Sequence, residues 1–155
     1  MFPYTILIVD NDPDFRQSLA EDVLEPDGFD IRIAGTLQDA REILTRRELV
    51  HLAILDLRLE DDNDPNDRSG WLLFGEIDDT ISKVVLTAFP TQPALVATTA
   101  NRTRFRLDDH YREVCLISKQ EDPSVYLDTM KTHLSEDFEI IPKRRIAVLT
   151  SGGDA

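Results

Sequence analysis

Five apolar runs of strand length punctuate the chain: Thr5-Ile6-Leu7-Ile8-Val9, Phe29-Asp30-Ile31-Arg32-Ile33-Ala34, His51-Leu52-Ala53-Ile54-Leu55-Asp56-Leu57, Lys83-Val84-Val85-Leu86 and Val114-Cys115-Leu116-Ile117-Ser118. Most are continuous, the pattern of strands buried on both faces of a parallel sheet; the second alternates and belongs nearer an edge. Helical spacing fills the gaps. Asp12 can cap a helix whose first turn holds Pro13, with Phe15, Leu19 and Val23 on one face, and Pro26-Asp27-Gly28 ends it. Thr36 caps a second helix with Leu37, Ala40 and Leu44 in line, Ser69-Gly70 opens a third carrying Trp71, Phe74 and Ile77, and Pro123 starts a last one with Leu127, Met130 and Leu134. Pro93 to Arg106 is predicted as one further long helix, against which Thr98-Thr99 and Asn101-Arg102-Thr103-Arg104 argue. Five strands alternating with five helices, about thirty residues apart or less, imply right-handed βαβ units and a doubly wound α/β sheet.

At 155 residues the chain suits one core, and 41% hydrophobic with 30% charged residues is the balance of an ordinary globular domain. A formal net charge of −13 argues against direct nucleic-acid binding and against adsorption to an anionic membrane. No apolar run approaches the roughly 18 residues of a membrane span, and the start lacks a signal-peptide n-region, so a cytoplasmic location is expected. The single cysteine, Cys115, lies in an apolar run and reads as a buried, inert thiol of a reducing compartment.

In a parallel sheet the carboxyl ends of the strands share one edge, and ligands bind outside it. The first strand delivers Asp10, Asn11 and Asp12 there, the third Asp56, the fourth Thr87 and the fifth Lys119. Carboxylates gathered on one edge repel unless a cation is present, and hard oxygen ligands suit Mg²⁺ with several waters retained. A lysine ammonium and a threonine hydroxyl supply a counter-charge and a hydrogen bond for a tetrahedral oxyanion. The set describes phosphoryl transfer to a carboxylate, with Asp56 attacking phosphorus in line.

Over residues 4 to 138 the sequence resembles the receiver domains of two-component response regulators, through Ile6-Leu7-Ile8-Val9-Asp10-Asn11-Asp12-Pro13, Leu55-Asp56-Leu57-Arg58-Leu59, Val85-Leu86-Thr87-Ala88 and Ile117-Ser118-Lys119. The resemblance implies a flavodoxin-like sheet of five parallel strands in the order 2-1-3-4-5, with residues 1–140 as the domain. It also implies Asp56 as phosphoacceptor, Thr87 as switch hydroxyl and Lys119 as partner of the phosphoryl group. The metal set would be Asp10, Asn11, Asp12 and Asp56, with the main-chain carbonyl of Arg58. Such a domain takes its phosphoryl group from a histidine kinase or phosphotransfer protein and loses it by self-catalysed hydrolysis; it is a switch and not a metabolic enzyme. It signals to an output domain or partner, or to a second copy, through the surface of the fourth helix, fifth strand and fifth helix. Three departures stand out. Asn11 replaces the second acid of the usual pair and weakens the expected metal site, Asp12 offering partial compensation. Leu116 replaces the aromatic residue three before the lysine. Gln120 replaces the proline after it, where a cis bond would cost several kcal/mol more, so the turn there is expected to be built differently. These departures sustain the alternative of a pseudo-receiver, the same fold used as a phosphorylation-independent interaction module.

The loop from Glu60 to Ser69 carries five acids, Glu60, Asp61, Asp62, Asp64 and Asp67, and reads as a solvated insertion, with a cation-attracting rim or a partner-selective flap as the functional alternative. An EF-hand reading fails, because counting from Asp62 neither Asp67 nor Leu73 supplies the required Gly and Glu. His51, His110 and His133 lack metal spacing and read as structural or exposed. Lys143 to Ala155 lies beyond the receiver pattern. Its strand and Ser151-Gly152-Gly153-Asp154 turn resemble the opening strand of ATP-dependent 6-phosphofructokinases, so residues 141–155 are expected to be either the start of a following domain or an extra C-terminal strand. A haloacid-dehalogenase-like phosphatase would match the Asp10/Asp12 spacing but leaves Asp56 unexplained.

Overall fold

The fold was analysed in a computed structural model, which describes residues 4–46, 49–61, 63–88, 95–99, 102–107 and 110–137. The expectations for residues 141–155 lie outside them. The elements run β1 (Thr5–Val9), α1 (Pro13–Ser18), β2 (Asp30–Ala34), α2 (Leu37–Thr45), β3 (Leu52–Leu55), α3 (Ser69–Glu76), β4 (Ser82–Thr87), β5 (Leu95–Thr99), β6 (Arg102–Leu107), β7 (His110–Ser118) and α4 (Pro123–Asp137). Asp12 caps α1, its carboxylate accepting from the Asp14 and Phe15 amides, and Pro13 holds the first turn. The helix continues in a wider turn over Leu19–Leu24 and a tight one over Glu25–Asp27, and stops at Gly28, whose φ of 91° suits glycine.

One sheet holds the strands in the order β2-β1-β3-β4-β7-β6-β5. The first five of that order are parallel, so the expected 2-1-3-4-5 arrangement is present with β7 as the fifth parallel strand. The helix predicted over Pro93–Arg106 is not formed: its described residues build β5 and β6, which pair antiparallel with each other, and β6 pairs antiparallel with β7. The described chain therefore has no helix between β4 and β7. Strand chemistry won locally. Thr98 and Thr99 are β-branched, and Arg102 to Leu107 alternates between arginine and Thr, Phe or Leu, the period-two pattern of a strand.

Within the parallel strands, alternate residues feed opposite layers. Leu7 and Val9 of β1, Ala53 and Leu55 of β3 and Val85 of β4 pack with Ala40 and Ile43 of α2 and with Trp71, Leu73 and Phe74 of α3. Ile6, Ile8, Leu52, Ile54, Val84 and Leu86 pack on the other face with Leu19, Leu24, Met130 and Leu134. Each fully buried Leu or Ile contributes roughly 2 kcal/mol. Cys115 lies in the second layer, buried as expected. Among the described residues no helix is long and apolar enough to cross a membrane.

Two of the three histidines have described side chains. His133 is buried, and His51 has a structural task at the amino edge of the sheet. Its Nδ1 accepts the Thr5 amide at 2.9 Å, while its own amide donates to the Thr5 carbonyl at 2.9 Å. Nδ1 can accept only while unprotonated, and burial lowers the His51 pKa from its ordinary value. A base with a depressed folded pKa contributes stability that is complete above about 6.5 and is lost as pH falls through the lower, folded value. We expect the wild-type chain to lose more stability between neutral pH and mildly acidic pH than His51→Asn, whose Oδ1 can accept the same amide without titrating. Urea denaturation of both proteins across that range checks it.

Candidate functional site

Three residues continue the sheet ladders one step past their strands and carry the site. The Asp10 amide donates to Ala34 O at 3.1 Å, the Asp56 amide to Val9 O at 3.0 Å and the Lys119 amide to Thr87 O at 2.8 Å. Backbone register thus aims each side chain over the carboxyl edge. Asp10 and Asp56 are buried, at 3% and 2% exposure, and Thr87, the last residue of β4, is fully buried between the strands that deliver Asp56 and Lys119.

The Lys119 ammonium ties the set together. Nζ lies 2.7 Å from Asp10 Oδ2 and 3.4 Å from Asp56 Oδ2. The other oxygens are held by main chain: Asp10 Oδ1 accepts the Asp12 amide at 2.9 Å and Asp56 Oδ1 accepts the Leu57 amide at 2.8 Å. Arg16 Nη1 donates to the Asp10 carbonyl at 3.0 Å, fixing that turn from α1. Two carboxylates and one ammonium leave the cluster one negative charge in excess. Burial pushes the Asp10 carboxyl above its ordinary range, although Lys119 opposes the shift. For Lys119, burial alone would lower the ammonium pKa, but Asp56 and Asp10 outweigh it and the net shift is upward.

Asn11 follows Asp10, and its Oδ1 is buried with no hydrogen-bond partner among the described residues. A buried acceptor left unpaired costs about 1–3 kcal/mol, so this oxygen is an open position for a cation or a donor. Asp12 is exposed, and its Oδ1 serves as the cap of α1. Arg58 is buried two residues beyond Asp56. No three His, Cys, Asp or Glu side chains among the described residues form a ready metal cage. What stands at the edge is instead a mixed oxygen set of two carboxylates and an amide, a chemistry that fits a small hard cation.

The acidic β3–α3 loop is more ordered than a solvated insertion. Asp67 turns inward at 8% exposure, Oδ2 accepting the Glu60 and Asp61 amides at 2.9 and 2.8 Å and Oδ1 accepting the Ser69 amide and hydroxyl at 2.9 and 2.6 Å. Burial would raise its pKa, but those bonds hold it below the usual carboxylate value. Ser69 Oγ accepts the Leu59 amide at 2.9 Å, so both loop ends are fastened. Gly70 completes the closure: its amide donates to Leu57 O at 3.0 Å, and a Cβ there would stand 2.0 Å from the Asp56 carbonyl oxygen. Neither role was read from the sequence; the Ser69-Gly70 helix start was the available signal.

No family model and no curated protein matches this chain. Its structure is similar to those of response-regulator receiver domains. A CheY-like receiver domain protein from Methanospirillum hungatei JF-1 is 21% identical with a TM-score of 0.63, over 89% of this chain and 98% of its own. The N-terminal domain of a response regulator/sensory box/GGDEF 3-domain protein from Carboxydothermus hydrogenoformans is 22% identical with a TM-score of 0.62, over 88% and 98%. A response regulator from Thermotoga maritima is 19% identical with a TM-score of 0.60, over 86% and 99%. The chain thus has the receiver fold.

The charge excess yields opposite signs for two substitutions. With its pKa raised, Asp10 contributes stability that is complete below the ordinary carboxylate value and is lost as pH rises through the raised one. At neutral pH and without divalent cation, Asp10→Asn is therefore expected to melt higher than wild type. Lys119→Met leaves two buried carboxylates uncompensated and is expected to cost about 3 kcal/mol. Thermal melts in chelator check both, and an Asp10→Asn protein that melts below wild type would refute the burial argument. Gly70→Ala is expected to destabilise by roughly 3 kcal/mol, because the new methyl meets backbone that cannot yield.

Proposed function

We propose that this chain is a phosphoacceptor receiver module that takes a phosphoryl group on Asp56 from a histidine kinase or phosphotransfer protein. The observation that carries the reading is the Lys119 ammonium bonded to both Asp10 and Asp56 at the carboxyl edge of the sheet. Main-chain contact at Oδ1 and the ammonium at Oδ2 hold the Asp56 carboxylate in one orientation, as an in-line nucleophile requires. In the transfer, an Asp56 oxygen forms the new O–P bond as the donor's N–P bond breaks, and the imidazole of the donor leaves with the bonding pair. Lys119 then pairs with a phosphoryl oxygen, and the Thr87 hydroxyl donates to another. Asp10, the Asn11 amide oxygen, Asp56 and the Arg58 carbonyl would hold Mg²⁺, which supplies charge neutralisation on the phosphoryl oxygens. The unpartnered Asn11 oxygen supports that assignment over a metal-independent interaction module. Hydrolysis of the acyl phosphate resets the switch.

Partners in this reading meet a surface of unusual make-up. Where the resemblance would put a helix of the output face, β5 and β6 stand beside β7. An output domain, a partner or a second copy would therefore dock against strand and turn as well as α4.

Intact mass after incubation with Mg²⁺ and a small phosphodonor tests the proposal. The wild-type chain is expected to gain one phosphoryl group and Asp56→Asn none. Beryllofluoride with Mg²⁺ is expected to change the fluorescence of Trp71, which is buried in the layer that also holds Leu57 and Leu59. Absence of both responses at saturating Mg²⁺ overturns it.

A further inference from the structure

Two aromatic residues bear on Lys119 from opposite helices. Phe15, in the first turns of α1, places its ring 4.4 Å from Nζ, measured to the centroid. Tyr126, in the first turns of α4 and only 3% exposed, donates its hydroxyl to the Lys119 main-chain carbonyl. The two rings meet edge-to-face with centroids 6.4 Å apart, so they form one unit across the gap between the helices. They also line a cleft of about 200 Å³ together with Lys119 itself, Leu19, Val23 and Pro123, so the rings and the lysine stem share one wall.

The turn after β7 explains why the lysine needs such support. Gln120 follows Lys119 where a proline would have restricted the backbone, and Leu116 stands where an aromatic residue was expected. The turn closes by weaker means, the Gln120 amide on Ser118 Oγ at 3.2 Å and the Glu121 amide on Ser118 O at 3.1 Å. Tyr126 adds a bond to the Lys119 carbonyl itself, and a buried phenol hydroxyl needs such an acceptor. Phe15 acts at the far end of the stem. A lysine side chain has about 2 kcal/mol of rotamer entropy to lose, and an aromatic face on one side with carboxylates on the other narrows its choices.

The geometry points to Phe15 and Tyr126 as positioning residues for phosphoryl transfer, holding the Lys119 main chain and ammonium so that Nζ stays over Asp10 and Asp56. This rests on the reading of Asp56 as phosphoacceptor. It assigns the task to a ring pair that ties α1 to α4.

The test compares Phe15→Leu, Phe15→Tyr, Tyr126→Phe and Val23→Ala in the full chain. Val23 lines the same cleft and serves as a packing control. Two quantities are read: the rate of labelling by a small phosphodonor at saturating Mg²⁺, and the ¹⁵Nζ signal of the Lys119 ammonium, which is sharp only where the group is held and protected from exchange. Phe15→Leu and Tyr126→Phe are each expected to slow labelling about fivefold and to broaden the signal. Phe15→Tyr, which keeps the ring face, is expected to retain both, and Val23→Ala to lower the melting temperature while leaving both unchanged. Wild-type rates and signals in Phe15→Leu and Tyr126→Phe overturn the assignment, and so does an equal loss in Val23→Ala. Should the wild-type chain accept no phosphoryl group, the phosphoacceptor reading fails by itself, and the ammonium signal still decides whether the rings hold Lys119.

Discussion

One half-buried ammonium facing two buried carboxylates is the interaction around which this structure is arranged. Across about 4 Å and at an effective dielectric constant near 20, unit charges attract by roughly 4 kcal/mol, enough to offset much of their desolvation only if the geometry is held. The sheet order makes that demanding. β7 lies three strand spacings from β1, about 14 Å, so a residue delivered by one can meet a residue delivered by the other only through a long side chain reaching over β4 and β3. Lysine has the reach, and its flexibility is the cost. The ladder bonds at Asp10, Asp56 and Lys119, the Arg16 bond to the Asp10 carbonyl and the rings of Phe15 and Tyr126 all limit that flexibility.

The β3–α3 loop serves the same end from below. Its acids look alike in sequence, but among the described ones Asp67 alone gathers two amides behind it and a serine ahead of it. Gly70 lets α3 start against the backbone of Asp56 itself. The insertion is thereby pinned within a few residues of Asp56. Glu60, Asp61 and Asp64 stay exposed.

What could be read from the sequence was what repeats. Continuous apolar runs placed the parallel strands, a period of 3.6 placed the faces of the helices, and the parallel topology then gathered Asp10, Asp56, Thr87 and Lys119 on one edge. What escaped depends on contacts between distant residues. Leu95 to Leu107 has both arginine-rich polarity and β-branching, and only pairing with β7 decides between a helix and a hairpin. Phe15 fits an apolar helix stripe whether or not a cation lies over it, and nothing near Tyr126 announces the Lys119 carbonyl. Asn11 read as a weakening of the metal site, and that its oxygen is buried without a hydrogen-bond partner among the described residues is a fact no sequence pattern announces.

The β5–β6 hairpin also changes the mechanics of the strand that carries Lys119. As the last strand of a five-stranded sheet, β7 would be bonded on one side and able to shear or peel at its free edge. Here its site end, Cys115 to Ser118, is laddered to β4, and its other end, His110 to Cys115, is laddered to β6, the two ladders meeting at Cys115. Sliding β7 means breaking two ladders at once. Movement in this molecule is thereby directed into the helices and the loops at the strand ends, and the sheet becomes the fixed frame against which they turn.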